Sequence, residues 1–261
     1  MTSVSNISIG ARMAGGAAAN ARHGMNEAIA RLSTGVRGMY GGDAAGMSMA
    51  HNIKAKAMSY GAAARNAEDG ISVAQTMESA LMEVASLAAR LRELATQARN
   101  SAIHTSNDQA AYDQEATAIS TAIDAIITQT SFNEVSILGT GSTSIAIGVT
   151  DESNTTSITI SGVGATSTTA AASAESTADT ALGAVAKELG NVAAAMTALK
   201  ARQAVAYSAS ANLFAAASRL EETDFAVSSA NLAKFSILNQ SAMAMVAQAN
   251  QAQSAVLAVL N

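Results

Sequence analysis

The side chains best suited to acid–base work or metal ligation are His23, His51 and His104, and they lie far apart with no second histidine at ligand spacing. No His-Glu-x-x-His motif occurs, and the chain has no cysteine, which removes thiolate metal sites, disulfides and Cys nucleophiles. The glycines between Gly35 and Gly46 are not followed by the Lys-Ser/Thr of a phosphate loop and read as a flexible connector. Acid pairs such as Glu68-Asp69 and Glu221-Glu222 read as solvated or subunit-bridging charges. These observations point away from an enzyme and predict no catalytic residues, no metal and no cofactor. A net charge of -5 with no basic patch also argues against nucleic acid as a partner.

The chemistry must then lie in packing. Of the 261 residues, 49% are apolar but only 3% aromatic, and much of the apolar share is Ala, a composition suited to closely approaching helices. Proline is absent, so nothing obliges a helix to break. Apolar residues at heptad spacing run through Val4, Ile7, Ala11, Ala14, Ala18, Ala21, Met25, Ala28 and Leu32. Gly10, Gly15, Gly16 and Gly24 weaken that helix by about 1 kcal/mol each relative to Ala.

A second helical pattern extends from Ala44 to Asn100, with a stammer between Ala74 and Met77 that locally overwinds a supercoil. A shorter helix follows, with Ser106 as its expected N-cap and Gln129 as its end. Period-two alternation in Ser144–Val149 and Ser157–Ser161 predicts a β-hairpin, and the Ser/Thr/Ala stretch from Gly162 to Thr177 predicts an exposed loop. Heptads resume from Leu182 to Leu220. A last helix carries Phe235, Leu238, Ala242, Met245, Ala249, Ala252, Val256 and Val259 in register.

The expected fold is mainly α: a long antiparallel helical hairpin, a coiled-coil rod with a small β-hairpin at its tip. Its expected divisions are paired terminal helices at 1–34 and 232–261, connecting regions at 35–46 and 221–231, a helical rod at 47–138 and 178–220, and a hairpin with a Ser/Thr-rich tip at 139–177.

After Lys234 no charged residue occurs up to Asn261, and Arg12 is the only charged side chain in the first twenty-one residues. Gln248, Asn250, Gln251 and Gln253 would be costly in lipid, so membrane insertion is not expected. A solvated helix ordinarily carries charge. An uncharged, weakly apolar helix needs other helices around it, and one chain offers only two such seams. Self-assembly is the expected outcome, with Val4, Ile7, Leu32, Phe235, Leu238, Met245, Ala249 and Val256 as subunit-packing residues.

Several segments resemble bacterial flagellin. Arg31-Leu32-Ser33-Thr34-Gly35 with Asp43-Ala44-Ala45-Gly46 resembles the turn after the first flagellin helix. Arg65 to Thr76 and Arg92 to Ala98 are similar to the long central helix, Ser131-Phe132-Asn133-Glu134-Val135 to the turn into the hairpin, and Ala247-Gln248-Ala249-Asn250-Gln251 to the terminal helix. Two positions depart from the pattern: Gly42-Asp43 replaces an acidic pair, and Ala252-Gln253 stands where a proline is common. The variable outer domains of larger flagellins are missing, which marks a compact form.

The resemblance implies a homopolymer forming the extracellular filament of the bacterial flagellum for swimming motility. It also implies type III export without a cleaved signal, and Met1 to Asn6 lack the pattern of a secretory signal peptide. The implied partners are a flagellar export chaperone, cap and junction proteins. Arg90, Leu94 and Glu115 match positions by which Toll-like receptor 5 recognises many flagellins, although the family also uses this surface for subunit contacts, the role favoured here. The alternatives are a hook-filament junction protein and, more distantly, an Ala-rich helical coat of lipid or granule surfaces, for which the Ala seams lack bulk.

Overall fold

The computed structural model describes residues 2–38, 43–150 and 154–260, and the side chains at 2–8, 256, 257, 259 and 260 lie outside what it describes. The expected seam residues Val4, Ile7 and Val256 therefore fall outside the described side chains, as do residues 39–42 of the expected connector and 151–153 of the expected hairpin turn. The described residues form α1 (Thr2–Thr34), α2 (Ala44–Ala98), α3 (Ser106–Gln129), β1 (Ser131–Phe132), β2 (Val135–Ser136), β3 (Thr143–Gly148), β4 (Thr155–Ile160), a 3₁₀ turn (Ala171–Ser173), α4 (Ala174–Glu221) and α5 (Phe225–Leu260). The mainly α expectation is met, with two small antiparallel hairpins, β1–β2 and β3–β4.

The chain forms two compact units: residues 1–55 with 213–261, and residues 56–212. In the larger unit α2 and α4 run antiparallel, because partners descend along α4 as they ascend along α2. Ser210 donates to the Ala57 carbonyl, Gln203 and Tyr207 donate to Glu68, and Arg92 pairs with Asp179. Most residues at heptad spacing in α2 are buried, including Ala74, Met77, Leu81, Val84, Ala88 and Leu91 on either side of the stammer, while Tyr60 and Ile71 are half-buried. Ile123 and Ile127 of α3, Ile158 and Ile160 of β4 and Leu199 of α4 complete this core. On the solvent side, hydroxyls turn inward: Ser72, Thr76, Ser79 and Thr96 each donate to the carbonyl four residues earlier.

Two expectations are corrected. The N-cap of α3 is Thr105, one residue before Ser106; its hydroxyl accepts from the Asp108 N–H while the Asp108 carboxylate accepts from the Thr105 N–H, a capping box. The stretch after β4 is an exposed loop only in part, since Val163, Thr166 and Ala171 are buried between exposed neighbours and α4 begins at Ala174. A polar stripe on α3 holds it. Asp124 accepts from the Thr166 N–H at 2.9 Å, Ser120 donates to the Thr166 carbonyl at 2.6 Å and accepts from the Thr168 N–H, and Asp113 accepts from the Ala171 N–H at 2.7 Å. Ser120→Ala strands a carbonyl and an N–H in a buried setting, so stability is expected to fall by about 1–2 kcal/mol. Protease cleavage between Gly162 and Ser173 is expected to accelerate; unchanged cleavage would show that the loop is held by its apolar residues alone.

Candidate functional site

In the smaller unit α1 and α5 lie antiparallel, with Gly24 against Phe235 and Gly35 near Phe225. The seam on α1 follows the heptads: Ala14, Ala18, Ala21 and Ala28 are buried, and Ala11, Met25 and Leu32 are half-buried. On α5 the buried side runs through Ser228, Leu232, Phe235, Asn239, Ala242, Val246 and Ala249. Leu238 and Met245, expected on this seam, lie outside it, at 46% and 62% exposure. They share the outer surface of α5 with Ile237 and Met243, while Ile9 and Met13 are exposed on α1. Each helix therefore buries one narrow stripe within the chain and presents a second apolar surface to solvent.

The ends of this pair are tied down. Gly35, at φ 71°, closes α1 with its N–H on the Arg31 carbonyl, a conformation that suits glycine at a helix end. The chain then pairs with the end of α4: the Arg37 N–H donates to the Glu221 carbonyl and the Thr223 N–H to the Gly35 carbonyl. Asp224 starts α5, accepting from the Ala226 and Val227 N–H groups.

Asp43 starts α2 in the same way, accepting from the Gly46 N–H at 2.8 Å and from Arg37 at 2.6 Å. A single acid thus makes this turn where the flagellin pattern has an acidic pair. The Gly46 N–H, followed by Arg37, holds the Asp43 carboxyl below its ordinary pKa, and the Thr105 N–H does the same for Asp108. A carboxyl with a depressed folded pKa contributes stability that is complete above its unfolded value, near 3.8, and is lost as the pH falls towards the folded value. Acidification below about pH 4 is therefore expected to fray the starts of α2 and α3. Side-chain NMR titration checks this, and Asp43→Asn should flatten the effect at α2 alone.

In the larger unit Arg90 bonds Glu115 at 2.7 Å and Glu93 at 3.3 Å, and these carboxylates, Glu115 first, raise its pKa above the ordinary guanidinium value. Arg90 and Glu115 are exposed, but Leu94 is fully buried against Ala95, Ala98 and Ala116. Of the three residues matched to receptor contacts, only Arg90 and Glu115 present a surface. His23 and His51 are exposed, and His104 packs edge-on against Tyr112 while its ring contacts the Gln97 carbonyl. Among the described residues no group of three or more acidic or histidine side chains could hold a metal, and no helix is long and apolar enough to cross a membrane.

Sequence reasoning missed two features of this surface. The heptad spacing of α5 puts Leu238 and Met245 on the stripe, although the buried side takes Asn239 and Val246 instead. Gly24 was read only as a weakness in α1, whereas it lies directly beneath the Phe235 ring.

Two family models match the chain: the bacterial flagellin N-terminal helical region over residues 8–143 and the bacterial flagellin C-terminal helical region over residues 175–260. A flagellin from Halalkalibacterium halodurans is 34% identical, with 90% of this chain and 91% of that protein covered. A Listeria monocytogenes flagellin is 28% identical over 91% of this chain and 92% of its own length. A Salmonella typhimurium flagellin is 40% identical over 49% of this chain but only 26% of its own.

Proposed function

This chain belongs to the bacterial flagellins, structural subunits of the flagellar filament, and from that premise we propose that α1 and α5 supply the contacts through which its copies polymerise. The observation that carries the proposal is the second apolar surface of each helix, with Leu238, Met243 and Met245 exposed in a segment free of charge beyond Lys234. A neighbouring copy would cover what the chain leaves open.

In this reading Val4, Ile7, Leu32, Phe235, Leu238, Met245, Ala249 and Val256 pack subunits together. Residues 1–34 and 232–261 form the inner wall, 47–138 and 178–220 the outer wall, and 139–177 the outward tip, with 35–46 and 221–231 connecting them. The role is structural rather than enzymatic and is carried out outside the cell. Export chaperone, cap and junction proteins are its transient partners. The exposed Arg90–Glu115 pair is available to Toll-like receptor 5 or to a neighbouring subunit, and contact with a neighbour is the favoured role. Negative-stain electron microscopy after salt-induced polymerisation tests the proposal: long filaments are expected. Short junction-like pieces alone, or binding only to lipid, would overturn it.

A further inference from the structure

The alanine face of α1 receives its partner helix without saying where along it that partner stops. On the α1 side Ala11, Ala14, Ala18, Ala21 and Ala28 are nearly interchangeable, so sliding by one heptad offers Leu232, Phe235 and Val246 of α5 much the same small-residue surface. The backbone hydrogen bond from Thr223 to Gly35 ties one end of the pair, and along the helices something other than Ala must hold the register.

We infer that Gly24 and Phe235 are the register pin of the α1–α5 pair, a hole without a Cβ that accepts one aromatic ring. A Cβ built on Gly24 would lie 2.6 Å from Cζ and 2.7 Å from Cε1 and Cε2 of Phe235, well inside contact distance. The ring therefore stands end-on over the Gly24 backbone, and a side chain at that position would force the ring to move aside. One heptad either way brings Ala17 or Arg31 under the ring, and shifts of three or four residues bring Asn20, Ala21, Glu27 or Ala28. Every one of these carries a Cβ. The other glycines of α1 meet nothing: Gly10, Gly15 and Gly16 have open space where a Cβ would be. Gly24 is the one whose bareness is filled, which accounts for a residue costing about 1 kcal/mol of helix propensity at a central position.

The pin is a property of the chain. Its consequence, that every subunit enters the polymer with the same offset between its terminal helices, rests on the assembly reading above.

The absence of native cysteine allows a direct test in the full chain. Counting about two turns away from the Gly24–Phe235 contact along each helix brings the buried Ala18 and Ala242 opposite one another. Ala18→Cys with Ala242→Cys reports the native register, and Ala11→Cys or Met25→Cys with Ala242→Cys reports a slip of one heptad in either direction. Under mild oxidation at polymer-forming salt, the intramolecular cross-link is expected to favour the native pair. Gly24→Val should lower that yield several-fold, with scatter to the slipped pairs, and adding Phe235→Ala should restore it by emptying the space the new side chain needs. Native yield unchanged by Gly24→Val, no preference for the native pair in the parent, or no recovery in the double variant would each overturn the pin. Filament formation is scored separately on the same samples: a native cross-link without filaments defeats the assembly reading and leaves the pin standing, and filaments with an indifferent register do the reverse.

Discussion

Ala249→Asp is expected to abolish filaments while leaving the larger unit folded. Ala249 is half-buried on α5, one turn beyond Val246, in a stretch with no Lys or Arg after Lys234 to pair with a new carboxylate from the same helix. Within one chain the site is only partly covered, so the single-chain cost is modest. In a polymer the remaining surface is enclosed by neighbouring copies, and an unpaired buried carboxylate then costs several kcal/mol in every subunit. Electron microscopy after salt addition should show no filaments, while circular dichroism of the soluble chain should retain most of its helical signal. Ser157→Asp, on an exposed face of β4, is the matched control and should polymerise normally. If Ala249→Asp polymerises as the parent does, α5 is not enclosed between subunits and the proposed assembly surface is wrong.

The largest loss of subunit stability is expected from Gly162→Ala. Gly162 has φ 92°, in the region favouring glycine, and a Cβ there would meet the Gly141 carbonyl oxygen at 2.6 Å and that of Thr140 at 2.8 Å. These are backbone atoms, which cannot swing aside as a side chain can. The position matters because the chain passes close to residues 140–141 as it leaves β4, then places Val163 in the core and Thr166 on the α3 stripe. Backbone strain and overpacking together should cost about 2–4 kcal/mol, a drop of roughly 5–15 °C in midpoint for a unit of this size. Gly164→Ala, two residues on, has open space around it and should fall within about 0.5 kcal/mol of the parent. Equal melting of the two variants would remove Gly162 from its assigned role.

How much of this was legible depended on whether the signal was local. The heptads of α1 and α2 and the alternation of β3 and β4 are properties of consecutive residues, and their buried faces fall where the sequence places them. The stripe of α5 is different, because two apolar faces compete and only one faces α1. The heptad series places Phe235, Ala242 and Ala249 on the contact correctly, but its alternate members Leu238 and Met245 face outward while Asn239 and Val246 take their places. The segment after Gly162 looked like solvent-exposed loop because it is rich in Ser and Thr. Its burial depends on Asp113, Ser120 and Asp124, some forty to sixty residues earlier, whose meaning appears only when α3 lies beside it. Gly24 shows the same limit: its helical cost is local and readable, and its benefit is a ring more than two hundred residues away.

The inward-turned hydroxyls of α2 bear on how a wall of such helices can be wetted and dried. A free serine or threonine on a helix surface holds water, and a neighbour laid across it must strip that water or supply a replacement bond. Ser72, Thr76, Ser79 and Thr96 have already spent their donor on their own helix, at 3.0–3.1 Å. Such a surface is polar enough to stay dissolved as a single chain, yet it releases its hydration at low cost when another helix covers it. Replacing these hydroxyls with the longer carboxamide of glutamine, which keeps donors and an acceptor out in the water, should raise the protein concentration needed to begin polymerisation while leaving the melting of the soluble chain nearly unchanged.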